Sequence, residues 1–313
     1  MKFITWSLLL AGSLMLLGST AFGADSTAVP PSPEVCKSCH ENYYNSYEAS
    51  IHGKTGNPGS PATGEGCAAC HGDGTAHVKA GGGKGVGGIV NPGSKSMPAT
   101  ARSAVCLNCH VGNPQLSYWD AGKHNMNDVT CTNCHSIHDT PLSPPSISPF
   151  VTTARTLQYE TCVTCHRDIR SQIFKSTHHP IIEGKVQCSD CHNPHGSPNQ
   201  SMIVEDTVPD LCEKCHAEKR GPFIWEHPPV AENCLNCHNP HGTTAASLLN
   251  EKVPTLCQDC HDVSRHPSTV YDGNSGFTGN SPSRFFVGRS CLNCHSEIHG
   301  SNAAGNQGSV FVR

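Results

Sequence analysis

The placement of cysteine constrains this chain more than any other feature. All 20 Cys residues stand in ten C-x-x-C pairs, and a His follows every pair directly. C-x-x-C-H is the attachment signature of c-type haem, because its two thiols form thioethers with one porphyrin and its His lies under the iron as an axial ligand. The sequence therefore predicts ten covalently attached haem c groups.

The motifs, numbered 1 to 10 along the chain, supply two kinds of predicted ligand. The haem thioether residues are Cys36, Cys39, Cys67, Cys70, Cys106, Cys109, Cys131, Cys134, Cys162, Cys165, Cys188, Cys191, Cys212, Cys215, Cys234, Cys237, Cys257, Cys260, Cys291 and Cys294. The proximal iron ligands are His40, His71, His110, His135, His166, His192, His216, His238, His261 and His295. Ten disulfides or four-thiolate zinc sites are the alternatives. Neither requires a His after every pair, so haem attachment is favoured.

Eleven further His residues provide candidates for the second axial ligand of each iron. His178 and His179 are adjacent, and neighbouring side chains rarely both reach irons. We favour His179 because the His-Pro sequence recurs at His227 and His266. The predicted distal ligands are His52, His77, His124, His138, His179, His195, His227, His241, His266 and His299.

The balance of ligands bears on catalysis. The Met residues outside the amino-terminal segment, Met97, Met126 and Met202, are alternative sixth ligands that would raise the haem potential. The supply of His makes them unnecessary. No motif is altered to mark an open iron, so the sequence favours an electron-transfer protein with no catalytic residues over a multihaem reductase.

A two-haem unit repeats along the chain. Each unit has an odd-numbered motif, a lone His, an even-numbered motif and a trailing His, and five such units are predicted at about 36–105, 106–161, 162–211, 212–256 and 257–313. Repetition at this scale predicts a quasi-linear array. His195 follows the proximal His192 by only three residues, which is too short a tether to pass round the same porphyrin. Trailing histidines therefore serve neighbouring haems.

Residues 1–23 are predicted to be a secretory signal peptide. Basic Lys2, the apolar stretch from Leu8 to Leu17 and the small-residue close Ala21-Phe22-Gly23 fit that pattern, and a retained membrane anchor is the alternative. Residues 24–313 form the predicted decahaem cytochrome domain. No later run approaches the roughly 18 apolar residues that a membrane helix needs, so direct lipid contact is not expected.

Composition limits the fold. Hydrophobic residues make up 36% of the chain including Cys, and 30 Gly and 23 Pro interrupt regular structure. The prediction is a multihaem cytochrome c, mostly coil with short α-helices and little or no β-structure, arranged as an elongated haem array. One helix is expected from the cap Ser32 to about Gly53. A net charge of −4 without basic clusters argues against nucleic acid as a partner.

Three other features have structural interpretations. The Gly-rich stretch Lys79 to Gly88 and the Pro-rich stretch Pro141 to Pro149 are predicted loops, to which we assign no chemistry. The rings predicted to pack on porphyrin faces are Tyr43, Tyr44, Tyr47 and Trp225.

Several segments resemble a known family. The segments are Ala217 to Pro222, Trp225-Glu226-His227, Asn233-Cys234, Cys237 to Gly242, Gly288 to His295 and His299 to Asn302. Together with the ten motifs they resemble the MtrA/DmsE family of periplasmic decahaem cytochromes, which includes the MtoA and PioA types. The resemblance spans the mature chain and is most specific from residue 188 onward.

The resemblance implies bis-His ligation throughout, with the family's distal positions falling on the residues given above. It also implies insertion into an outer-membrane β-barrel porin. Electrons would then cross the outer membrane between periplasmic carriers and an outer-surface multihaem cytochrome or extracellular metal, by Fe(III) or mineral reduction or by Fe(II) oxidation. The expected location is the periplasm, in association with the outer membrane through the porin. A soluble periplasmic shuttle and a multihaem reductase are the alternatives.

Overall fold

The computed structural model describes residues 29–138, 154–261 and 290–312, with side chains from residue 158 in the second range. The predicted signal peptide, the Pro-rich stretch 141–149 and the predicted ligand His266 lie outside the described residues.

Short helices joined by turns make up the described ranges. The longest, Ala99–His110, has 12 residues. The α-helices, α1 to α13 in chain order, are Pro33–Lys37, Glu41–Ala49, Ala68–His71, Thr75–Lys79, Ala99–His110, Lys123–Met126, Ala154–Val163, Arg167–Ile173, Cys188–Cys191, Val208–Glu213, Pro228–Glu232, Thr255–Gln258 and Asn306–Ser309. The 3-10 helices are Ile51–Gly53, Pro61–Thr63, Val86–Gly88, Pro114–Leu116, Cys131–Asn133, Gln200–Met202, Ala217–Lys219, Cys234–Asn236, Ala246–Leu248 and Cys291–Asn293.

β-Structure is limited to isolated bridges within the described ranges. The bridges are antiparallel and pair Thr177 with Thr243, His192 with Ile203, Trp225 with Ser301 and His238 with Leu249. The predicted fold class, mostly coil with short α-helices, is therefore confirmed.

The helix expected from Ser32 to Gly53 is wrong as a single element. Ser32 is the N-cap of α1 and Pro33 its first residue, but α1 ends at Lys37 and α2 runs from Glu41 to Ala49. The break falls in motif 1, where His40 leaves helical geometry with φ −119° and ψ 44°. The backbone therefore changes direction at the proximal His40, between α1 and α2.

Little of the protein is buried among its own side chains. Val163, Ile173 and Ile181 form the centre of an apolar cluster, with Tyr159 and Ile169 packed against it. This cluster lies within the third unit, and the motifs extend far beyond it in both directions. Contacts with a bound group must therefore supply much of the packing that aliphatic side chains supply in ordinary domains.

Candidate haem-binding sites

Each C-x-x-C-H motif folds as one helical turn. In motif 1 the His40 N–H donates to the Cys36 carbonyl at 2.9 Å, and the same bond from His to the first Cys recurs in motif 6 at 2.9 Å and motif 8 at 3.0 Å. Motif 3 forms the last turn of α5. This turn places both sulfurs and the proximal ring on one side of the backbone, which is the arrangement that one porphyrin requires.

The described residues show neither disulfides nor metal-binding clusters. All 20 Cys residues lie in the described ranges and none forms a disulfide. Within those ranges, His, Cys, Asp and Glu side chains form no group of three or more able to hold a metal ion. The thiols remain available for thioethers.

The histidine rings meet in pairs, each joining a proximal with a predicted distal residue. Their centroids are 6.0–6.3 Å apart. The pairs are His40 with His77, His71 with His138, His110 with His52, His135 with His195, His166 with His124, His192 with His241, His216 with His179, His238 with His299 and His261 with His227.

This separation is the one that a single metal between two imidazoles requires. A His nitrogen binds a transition metal at about 2.0 Å, and the ring centre lies about 1.1 Å further on, so two coaxial ligands have centroids about 6.2 Å apart. The gap in each pair therefore fits one iron.

The pairs follow a regular register between units. The lone His of one unit meets the odd proximal His of the next, as His124 meets His166 and His179 meets His216. The trailing His of a unit meets the even proximal His of the unit before, and an example is His195 with His135. At the amino end His77 turns back to His40 of its own unit. Consecutive units are therefore interlocked in both directions.

The thiols give the order of the motifs in space. Within each unit the first Cys of one motif is next to the first Cys of the other, in the pairs Cys36–Cys67, Cys106–Cys131, Cys162–Cys188, Cys212–Cys234 and Cys257–Cys291. Between units the second Cys residues lie near enough to influence each other electrostatically without a direct bond, in the pairs Cys70–Cys109, Cys134–Cys165, Cys191–Cys215 and Cys237–Cys260. Together these pairs connect motifs 1 to 10 in one unbroken sequence.

The thiol contacts within units are close enough for hydrogen bonding. The Cys162 thiol donates to Cys188, and this bond lowers the pKa of Cys188 to about 7 while it and burial raise that of Cys162. The same bond from Cys106 lowers the pKa of Cys131 to about 6. Two thioether groups therefore meet at the centre of each unit.

Backbone carbonyls orient the even proximal rings. The Nδ1 atoms donate as follows: His71 to Val90 O at 2.8 Å, His192 to Ser201 O at 2.8 Å, His238 to Ser247 O at 2.9 Å and His295 to Val310 O at 2.6 Å. A proton on Nδ1 leaves Nε2 as the free donor atom for iron. Ser201 and Ser247 have φ of 56° and 57°, left-handed values that cost a non-glycine residue about 1–3 kcal/mol. The same strained backbone therefore occurs in two consecutive units, and in each it places a Ser carbonyl beside the proximal ring.

Several predicted distal rings have the same support. Their Nδ1 atoms donate as follows: His77 to Val86 O at 2.9 Å, His124 to Pro194 O at 2.7 Å, His138 to Tyr43 O at 3.2 Å and His179 to Pro240 O at 2.6 Å. Pro194 and Pro240 directly precede the trailing His195 and His241. Each of these two turns therefore contributes to two ring pairs. Its Pro carbonyl orients the distal ring of one pair, and its His is the distal ring of the other.

Burial keeps distal rings neutral. It lowers the pKa of each of His52, His138, His195, His227, His241 and His299, and the facing proximal His lowers it further. Neutral imidazole is the form that binds a metal.

The loop at 79–88 supplies one of the supporting carbonyls, Val86 O, to a predicted ligand. That loop folds back over His77, and Gly87, at φ 73°, lies so close that a Cβ would overlap the His77 backbone. The loop therefore holds a predicted ligand, although we assigned it no chemistry. Its Gly run was the available signal, because Gly alone adopts such φ values freely.

A cavity near motif 2 tests whether a porphyrin fits. Its volume is about 670 Å³, within the range of cofactor sites, and Tyr44, Tyr47 and Lys54 line it. The Tyr47 hydroxyl is buried without a hydrogen-bond partner, and the ring lies near the Cys67 and Cys70 thiols. The residues that line the cavity include no Cys or His of a motif, so Tyr47 is the link between the cavity and motif 2. The predicted packing of Tyr43, Tyr44, Tyr47 and Trp225 on porphyrin faces stays a prediction.

Comparison with known proteins agrees with the motif chemistry. Residues 178–221 and 227–266 match the family described as "Doubled CXXCH motif", and residues 67–149 match "Cytochrome c-type protein NrfB-like". The described helices include none that is long and apolar enough to cross a membrane.

A curated relative covers most of the chain. It is the "Multiheme cytochrome MtrA" of Shewanella baltica (strain OS185), which is 37% identical over 283 residues, or 89% of this chain and 81% of the relative. This similarity covers 89% of the chain, and it agrees with the C-x-x-C-H turns and the helix-poor fold. The chain therefore belongs to the MtrA-type multihaem c-type cytochromes, which transfer electrons through covalently bound haem.

Proposed function

We propose that the protein carries ten haem c groups, each with two axial His ligands, and conducts electrons along them in motif order. The thiols support this path, because those of the two motifs in a unit are hydrogen-bonded and those of consecutive units are electrostatic neighbours from motif 1 to motif 10. The five two-haem units are steps of this path. Because the units exchange histidines, we propose that they fold as one domain from residue 24 to residue 313.

The ring pairs supply the proposed ligation. The lone His of each unit binds the odd iron of the next unit, and the trailing His binds the even iron of the unit before. The ends of the series depart from this rule. His77 binds the iron of motif 1, and His266 is the remaining candidate for motif 10, opposite His295.

The haems supply the redox chemistry, and the residues of the chain keep each iron six-coordinate. Carbonyls such as Ser201 O and Ser247 O hold the Nδ1 proton and direct Nε2 at the iron. Two strong ligands on each iron leave no position for a substrate. The protein therefore functions as a conductor and not as an enzyme, and the same path serves either direction of electron flow.

We further propose that this conductor works in the outer membrane. The similarity to MtrA over 89% of the chain supports the family's role for the whole motif series. In that role the mature protein is periplasmic and occupies an outer-membrane β-barrel porin. It accepts or delivers electrons at periplasmic carriers on one side, and at an outer-surface multihaem cytochrome or extracellular metal on the other.

Isolation of the native complex tests this function. Outer membranes are solubilised in mild detergent, the haem-staining species is purified, and its partners are identified by mass spectrometry. We expect a stoichiometric complex with a large β-barrel protein, and the same purification from a strain without that barrel is the control. Recovery of the protein alone from the soluble periplasm would make it a shuttle. A strong high-spin ferric signal in the purified protein would favour a reductase.

A further inference from the structure

The paired rings fall into two groups by the angle between their planes. In six pairs the planes are near parallel, at 14–28°. In three pairs they are tilted by 54–69°, and these pairs belong to motifs 3, 5 and 7. The tilted pairs therefore occur only at interior odd motifs among the pairs that the structure describes.

In motifs 5 and 7 the same turn fixes the tilted ring. The carbonyl of Pro194 accepts from His124, and the carbonyl of Pro240 accepts from His179. Both prolines stand in the sequence Asn-Pro-His-Gly, where the Asn Oδ1 accepts from the His N–H at 3.1 Å. The resulting plane angles, 56° and 54°, are nearly equal.

The glycine of each turn holds it against the preceding unit. Gly196 has φ 119° and lies against the Tyr118 carbonyl, and Gly242 has φ 151° and lies against the Gln172 carbonyl. A Cβ at either position would overlap the neighbouring oxygen. Packing between units therefore sets the position of the Pro carbonyl, and the His124 or His179 ring must orient to meet it.

Motif 3 is tilted by 69° although the turn at its trailing position, Ser136-Ile137-His138, has no Asn-Pro, so the Asn-Pro turn accounts for motifs 5 and 7 alone. Motif 9 shows a ring pair without this turn that stays near parallel. The corresponding turn there is Glu297-Ile298-His299-Gly300, without Asn-Pro. Within the described residues the Nδ1 of His227 is buried and has no hydrogen-bond partner. The His227 and His261 planes are near parallel at 21°.

We propose that Asn193 and Asn239 are positioning residues whose Asn-Pro turns hold His124 and His179 tilted, so that the protein carries two classes of bis-His haem. This inference rests on the proposed ligation. Parallel imidazole planes split the two iron d orbitals of π symmetry and give a rhombic low-spin ferric spectrum. Tilted planes reduce this splitting and give a single broad low-field signal.

Two spectroscopies on the oxidised holoprotein test the inference separately from the ligation. Near-infrared magnetic circular dichroism reports the chemical type of the axial ligands, and we expect bis-His bands at every haem. Electron paramagnetic resonance reports the plane angle, and we expect the broad low-field signal to integrate to three or four haems. The range arises because the tenth pair includes His266. Bis-His bands with a purely rhombic spectrum would overturn the inference alone, whereas other ligand bands would overturn the ligation.

A matched pair of variants tests the turn. Asn239→Ala removes the bond from the His241 N–H that closes the turn around Pro240, and we expect the low-field signal to lose about one haem, roughly one third or one quarter of its intensity, while the bis-His bands persist. Asn91→Ala is the control. Asn91 Oδ1 makes the same bond to Gly93 at 3.0 Å, but the Pro92 carbonyl accepts from Arg102 and holds no His. An unchanged low-field signal in Asn239→Ala, or an equal loss in both variants, would contradict the assignment.

Discussion

Two adjacent histidines have different environments at the residue scale. The His179 ring faces His216 at 6.3 Å, and its Nδ1 donates to the Pro240 carbonyl. His178 uses both nitrogens elsewhere, with Nδ1 at 2.6 Å from Lys175 O and Nε2 at 3.1 Å from the Glu183 carboxylate. These bonds raise the pKa of His178 and favour its charged form. A protonated ring has no lone pair for iron, which supports His179 as the ligand.

Substitution of each histidine separates their roles. In His179→Ala we expect the iron of motif 7 to lose its sixth ligand, so that about one tenth of the haem becomes high-spin ferric, measured by electron paramagnetic resonance. His178→Ala is the matched control and should keep a fully low-spin spectrum. Its exposed ion pair contributes little, so the melting temperature should change by no more than a few degrees. High-spin haem in His178→Ala would show that the two roles are reversed.

At the scale of elements, the trailing turns join consecutive units. Thr177 and Thr243 exchange two backbone hydrogen bonds, at 3.1 and 2.8 Å, beside the contact of Gly242 with Gln172. Between the fourth and fifth units, Trp225 and Ser301 likewise exchange two backbone hydrogen bonds of 2.9 Å. Gly300 packs on the Phe223 ring beside them. These small contacts hold units together without a continuous apolar core.

A side chain at Gly242 should therefore weaken the protein. In Gly242→Ala we expect a loss of about 2–4 kcal/mol in the free energy of unfolding, because the Cβ meets the Gln172 carbonyl and φ is left-handed. Guanidinium denaturation of the holoprotein, followed by circular dichroism, measures it. Gly59→Ala is the control, because Gly59 has φ 85° but open space around its Cβ position, and about 1 kcal/mol is expected. Equal losses in both variants would show that the contact with Gln172 is unimportant.

The sequence predicted the helices and motif turns better than the hydrogen bonds that orient the histidine rings. The motif turns, the helix start at Pro33 and the small size of the apolar core in the described ranges follow from local composition and spacing. The break after Lys37 was missed because helix signals continue through motif 1. The acceptors at Pro194 and Ser201 were missed because a backbone carbonyl has no residue-type signature. The facing of His52 and His110 depends on packing between units, which no local pattern encodes.

At the scale of the whole molecule, the hydrogen bonds that orient the paired imidazole rings alternate between the distal and the proximal ring from motif 5 to motif 8. In motifs 5 to 8 each ring pair has one imidazole-to-carbonyl bond, from His124, His192, His179 and His238 in turn, at 2.6–2.9 Å. The bond lies on the distal ring at odd motifs and on the proximal ring at even motifs. Ligand basicity is thus similar in these four pairs, whereas their plane angles alternate as 56°, 22°, 54° and 14°.

This alternation predicts an uneven profile of potentials along the electron path. Parallel ligand planes stabilise low-spin ferric iron by splitting its d orbitals, and tilted planes lose part of that stabilisation, so the tilted haems of motifs 5 and 7 should be reduced before those of motifs 6 and 8. Stepwise reductive titration followed by electron paramagnetic resonance measures this order, and the broad low-field signal should disappear at higher potential than the rhombic signal. Asn239→Ala should reduce the share of haem that titrates first, while Asn91→Ala should leave it unchanged. Loss of the rhombic signal first would show that burial and nearby charge, rather than ligand planes, determine where electrons reside.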